Sequence, residues 1–247
     1  MSPHGNVLVF ETPEELAVAA AERFIECAAK SDGESDRFSV ALAGGRTPKR
    51  VYELLATDRF NHRVHWSQVH LFFGDERSVP PTHPDSNYAM VYEALISKVA
   101  IPAKNVHRVT GESEPHESAM TYETELRTFF AGLAWPRFDL VLLGMGEDGH
   151  TASLFPHSAA LEEKARWVLA TRNEQSDKDG HNRITLTIPA INHAAQIVFL
   201  VTGKEKAQRL AEVLRPQPGS ASVPAQAIKP VDGTLEWFAD AAAASYL

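Results

Sequence analysis

Phe138-Asp139-Leu140-Val141-Leu142-Leu143 runs without a break into Gly144-Met145-Gly146-Glu147-Asp148-Gly149-His150. A short apolar run closed by glycine reads as a buried strand, and the loop after such a strand is where an α/β sheet gathers ligands. Similar runs recur at Val7–Phe10, Phe38–Ala43, Val69–Phe73, Trp167–Ala170, Ile184–Ile188 and Ile197–Val201. Helical patterns fall between several of them, at Pro13–Lys30, Pro48–Ala56, Ser86–Val99, Glu114–Ala131 and Lys204–Leu214. Alternation of this kind predicts an α/β fold, a mostly parallel sheet with helices on both faces. The chemistry is then expected in the loops that follow the apolar runs.

The chain has 247 residues, within the reach of one domain around one core, and shows no repeat at solenoid periods. Asn173–Asn182 and Arg215–Pro224 read as polar excursions, neither long enough to demand a second domain. A net charge of −8 opposes non-specific nucleic-acid binding but leaves room for a small anion held by local cations and backbone N–H groups. No apolar run reaches the length of a membrane span. Met1-Ser2-Pro3-His4-Gly5 carries neither a basic start nor an apolar segment of the secretory kind, and the one cysteine, Cys27, reads as a packing residue. These features predict a cytoplasmic protein, monomer or homodimer, without nucleic-acid or membrane partners.

Four stretches carry candidate chemistry. Gly44-Gly45-Arg46-Thr47-Pro48 follows an apolar run, with Thr47 suited to cap a helix and Pro48 to begin it. It is either an ordinary tight turn or a phosphate cradle at a helix N-terminus, to which Arg46 adds charge. Gly74-Asp75-Glu76-Arg77 follows another run, and Asp85-Ser86-Asn87-Tyr88 reads as a helix entrance. There Asp75 can hold sugar hydroxyls or handle a proton, and Arg77 can meet phosphate or carboxylate. The third stretch delivers Asp148 and His150 two residues apart among three glycines, an imidazole base with a carboxylate to fix its tautomer. Loop N–H groups beside Gly146–Gly149 are candidate oxyanion donors. The fourth comprises Arg183 before Ile184–Ile188 and Lys206 at a strand-to-helix junction, each either a surface charge or a phosphate contact. No H-E-x-x-H, cysteine cluster or closely spaced histidine pair suggests a metal beside His150.

Taken in order, Ala43–Pro48, Gly74–Arg77 with Ser86–Tyr88, Leu143–Pro156, Arg183–Thr187 and Thr202–Ala207 resemble the signature of the 6-phosphogluconolactonase family, from about Val7 to Phe238. Arg46 departs from it, since the family often carries Ser there. The resemblance implies a modified Rossmann-like fold shared with glucosamine-6-phosphate deaminases, and hydrolysis of 6-phosphoglucono-δ-lactone in the oxidative pentose phosphate pathway. It implies His150 as the water-activating base. It implies Arg183, Lys206 and the Gly44–Thr47 loop on the phosphate, and Asp75, Arg77 and Asp148 around the sugar. It implies a phosphorylated sugar lactone as ligand, no organic cofactor and no catalytic metal. The deaminases share Asp148-Gly149-His150 but carry a glutamate where this chain has Phe155. An amino-sugar-phosphate deaminase/isomerase and a non-catalytic sugar-phosphate sensor remain the alternatives.

Overall fold

The computed structural model describes residues 5–31, 37–172, 181–216 and 223–247, so most of the two expected polar excursions lies outside the described residues. Its strands are β1 (Asn6–Phe10), β2 (Phe38–Leu42), β3 (Val69–Phe73), β4 (Asp75–Arg77), β5 (Leu140–Gly144), β6 (Val168–Thr171), β7 (Arg183–Leu186), β8 (Gln196–Val201) and β9 (Thr234–Asp240). Its α-helices are α1 (Pro13–Ser31), α2 (Arg46–Leu55), α3 (Asp58–Asn61), α4 (Asn87–Ala94), α5 (Pro115–Phe129), α6 (Ile188–Asn192) and α7 (Ala207–Leu214).

Six strands form one parallel sheet in the order β1-β9-β8-β5-β2-β3. Every residue of β2 is buried, as are Leu140–Leu143 of β5, so the sheet is covered on both faces. This is why the inner strands are written as unbroken apolar runs rather than as alternation. Helix α1 packs on α2, β1 and β9, and α2 also reaches β5 and β8. From β2 the chain steps outward to β3, then returns past β2 to β5 and continues the other way through β8 and β9. The direction of winding reverses between β2 and β5, which places a crevice at the carboxyl ends of these two strands.

Two of the expected strands lie elsewhere. β6 and β7 pair antiparallel with each other, and β7 with β4, to make a separate three-stranded sheet against which α5 packs. The strand expected over Ile184–Ile188 ends at Leu186, because Thr187 caps α6 by accepting the Ala190 N–H. The sequence reading passed over β4, α3, α6 and β9. In β9 a polar Glu236 interrupts the apolar run, and its charge is met by Arg23 and by Gln196 Nε2 at 2.8 Å.

Candidate active site

Three strand ends converge on the crevice, and each is pinned where its ladder stops. The buried Tyr52 hydroxyl of α2 accepts the Ala43 N–H at 3.0 Å and donates to the Ala43 carbonyl at 2.9 Å. Burial pushes this phenol well above its ordinary range, so it stays neutral and can both donate and accept. Tyr122 of α5 makes the same pair of bonds to Phe73, at 2.8 and 3.1 Å. Thr151 Oγ1 donates to the Gly144 carbonyl at 2.8 Å. The residues that follow these anchors, Gly44-Gly45, Gly74-Asp75 and Met145-Gly146, therefore start from fixed positions.

Beyond β2 the helix begins two residues earlier than expected. Gly45, at φ 100°, turns the chain and is the cap of α2, and no side-chain bond caps this helix. A left-handed φ suits glycine, which lets the helix start at Arg46 instead of waiting for Thr47 and Pro48. Thr47 Oγ1 instead pairs with Thr202 Oγ1 at 2.6 Å, tying the helix start to the end of β8. The first N–H groups of α2 have no partners within the helix and, with its dipole, favour an anion.

A cleft of about 630 Å³ opens there. Gly44, Gly45, Arg46 and Thr47 line it from β2 and α2, Asp75 and Arg77 from β4, His150 from the loop after β5, and Lys206 from the turn after β8. Arg50 also lines it but is spent on Glu14, with bonds of 2.8 and 2.7 Å. Among the described residues, Arg46 and Lys206 make no ion pair and no side-chain hydrogen bond, which leaves both charges for a ligand.

The loop after β5 forms the centre of the site. Asp148 Oδ1 lies 2.6 Å from His150 Nδ1 and also accepts the His150 backbone N–H at 3.0 Å. A carboxylate in that place accepts a hydrogen bond from Nδ1–H, leaving Nε2 as the basic nitrogen. Burial works against the charge of Asp148, but the hydrogen bond and charge of His150 outweigh it and hold the carboxyl at about 2. Asp148 itself is not part of the cleft wall; it stands behind His150. Phe155 covers the imidazole, its ring centre 5.0 Å away. Gly146 is required by close approach: a Cβ there would stand 2.1 Å from His150 Nδ1 and 2.6 Å from Asp148 Oδ1.

Some of this loop's amides, expected as oxyanion donors, are already engaged. Gly146 N–H donates to the His150 carbonyl, Gly149 N–H to the Gly146 carbonyl and His150 N–H to Asp148, so three of the amides are used in holding the loop.

Asp75 is buried at the cleft edge and held by Asn87 Nδ2 at 3.1 Å and Ser153 Oγ at 2.6 Å. Neither Asn87 nor Ser153 was singled out for this part in the sequence; three segments meet here, and no local pattern announces the meeting. Glu76 turns away from the cleft and accepts the N–H groups of Arg77, Asn87 and Tyr88 and the Ser86 hydroxyl, anchoring the start of α4. Arg77 Nη1 donates to the Asp85 carbonyl at 2.5 Å. Arg183 stands directly opposite Arg77 across the β4–β7 ladder, buried, with Nη1 on the His181 carbonyl at 2.8 Å. It does not line the cleft. Cys27 is buried in the core, and burial pushes its thiol up to about 11, as suits a packing residue.

A Rossmann-like sheet with an imidazole–carboxylate pair and uncommitted cations at its switch point defines the class of α/β proteins built around a small anionic ligand. Residues 11–237 match the model of the glucosamine-6-phosphate isomerase/6-phosphogluconolactonase family, and the chain belongs to it. The chain is 44% identical over 226 residues to a 6-phosphogluconolactonase of Nostoc sp., covering 90% of this chain and 89% of that one. The solved 6-phosphogluconolactonase of Trypanosoma cruzi superposes with a TM-score of 0.87 at 31% identity, covering 100% of this chain and 98% of that one. A monomeric glucosamine-6-phosphate deaminase shares the fold, with a TM-score of 0.82 at 20% identity over 98% of this chain and 100% of that one. No helix among the described residues is long and apolar enough to cross a membrane.

Proposed function

We propose that the chain hydrolyses 6-phosphoglucono-δ-lactone to 6-phosphogluconate, as a step of the oxidative pentose phosphate pathway, using a water activated by His150. The observation that carries this reading is the 2.6 Å contact of His150 Nδ1 with Asp148, with His150 lining a cleft that is also lined by the start of α2 and Arg46. Nε2 takes a proton from water as the oxygen attacks the lactone carbonyl, then returns a proton to the ring oxygen as the C–O bond breaks. Asp148 orients the ring and offsets the imidazolium charge that forms in between.

In this reading the phosphate is held by the α2 N-terminus, Arg46 and Lys206, remote from the carbonyl, so that binding orients the ring. Asp75 and Arg77 meet the sugar hydroxyls. Arg183, which the family resemblance puts at the phosphate, reaches it by leaving the His181 carbonyl or acts through Arg77 beside it.

The deaminase alternative needs a carboxylate to move protons between carbons and the ring oxygen, and Phe155 beside His150 has neither proton nor charge to give. The test offers freshly generated 6-phosphogluconolactone and, separately, glucosamine 6-phosphate. Rapid acid release from the first with no ammonia from the second is expected. Ammonia release at comparable enzyme levels would overturn the lactonase reading, and no turnover of either would favour a sensor.

A further inference from the structure

We infer that His83, Asp85 and His181 form a divalent-metal site of the zinc type, outside the cleft and separate from the proposed hydrolysis. Among the described residues they are the only group of three or more such side chains whose ligand atoms all lie within 4.8 Å of one another. The histidines are far apart in the sequence and are brought together by the β4–β7 pairing, which is why no spacing announces them. The distances favour a shared ion over direct bonding. Asp85 Oδ2 is 3.4 Å from His181 Nε2 and 3.7 Å from His83 Nδ1. Both exceed the 2.7–3.2 Å of an ordinary N–H···O bond. They come close to the roughly 3.3 Å that separates two ligands on a tetrahedral ion with bonds of about 2.0–2.1 Å. The imidazoles stand edge to face, at 81° with centres 5.4 Å apart, rather than stacked. All three side chains are partly exposed, which gives an ion a way in and leaves a coordination position for water.

The backbone already holds two of the ligands. Arg77 Nη1 donates to the carbonyl of Asp85, and Arg183 Nη1 to the carbonyl of His181. The guanidiniums bind carbonyls and leave the ligand atoms to the metal, although their charge keeps its affinity below that of a four-ligand structural site. One bond competes: Asp85 N–H donates to His83 Nδ1 at 3.1 Å, and binding through that nitrogen displaces it. An ion here would fix the two carbonyls that receive Arg77, which lines the cleft, and Arg183 beside it.

The test is a zinc titration of the full chain, stripped of metal, in competition with a chromophoric chelator. Histidine-to-alanine variants H83A and H181A, and Asp85→Asn, are compared with the parent. Asp85→Asn keeps the backbone carbonyl that receives Arg77, so it reports on the site even where an alanine variant folds poorly. One equivalent of zinc is expected in the parent, with affinity reduced by at least the roughly tenfold typical of a disturbed zinc site in each variant. Cobalt(II) should give the intense visible bands of four-coordination in the parent and lose them in the variants. Unchanged zinc affinity in all three variants, or a parent that takes up no stoichiometric zinc, would overturn the assignment. No lactone enters the measurement, so it stands apart from the proposed hydrolysis.

Discussion

Gly146→Ala adds a single methyl group and makes a sharp test of the His150–Asp148 geometry. The added carbon would stand 2.1 Å from His150 Nδ1 and 2.3 Å from Cε1, where ordinary contact begins at 3.4 Å. The ring must therefore withdraw by about 1.3 Å, away from the Asp148 oxygen that would itself lie 2.6 Å from the methyl. A displacement of about 1 Å in a positioned catalytic group costs on the order of 10²-fold in rate, or about 2.7 kcal/mol of barrier. Gly146 is not in the left-handed region, so the backbone accepts alanine and the fold should survive. Continuous acid release from 6-phosphogluconolactone, corrected for spontaneous hydrolysis, should show kcat lower by about 10²-fold. KM and the melting temperature should barely change. A variant within about threefold of the parent kcat would refute the claim that this dyad must be held as seen.

Asp148, held at about 2, is ionised throughout the working range, so an acid limb in the pH–rate profile above pH 5 belongs to another group. Its folded value lies below the unfolded one of about 3.9, so the stability it adds is present above that pH and fades as pH falls toward 2. The stability difference between parent and Asp148→Asn should thus hold steady above about pH 5 and shrink below about 3.9; a difference that grows on acidification would reverse the sign. Lys206→Ala should raise KM for the phosphorylated lactone by roughly tenfold and leave an unphosphorylated analogue untouched. Arg183→Ala should follow the same pattern if its guanidinium serves the phosphate, whereas equal losses on both substrates would assign it to the fold. Cys27, with its thiol near 11, should resist alkylation at pH 8 in the folded protein and react once unfolded; fast native labelling would contradict its burial.

Much of this site was legible because its central pair is local. Asp148 and His150 are two residues apart, and the strand before them is written as an apolar run because the sheet is covered on both faces. β4 was illegible for the opposite reason. Three successive charged residues, Asp75-Glu76-Arg77, carry no apolar strand pattern, yet Asp75 and Glu76 are buried. The partners that make burial tolerable come from Ser86, Asn87 and Tyr88 of the next helix start and from Ser153, 78 residues away from Asp75. Arg183 shows the same limit. Its type and position left a surface charge and a phosphate contact both open, and only the β4–β7 register shows it buried beside Arg77, with its guanidinium on a carbonyl. Helix α2 was misplaced by two residues because a left-handed glycine can cap a helix as well as a threonine can, and the sequence offers both in succession.

The most direct test of the central claim is the rate of His150→Ala on freshly generated 6-phosphogluconolactone near pH 7, set against the parent under the same spontaneous background. Loss of a general base should lower kcat by about 10²-fold or more while substrate affinity changes little. A variant that turns over the lactone at close to the parent rate would remove His150, and with it the activated water, from the reaction.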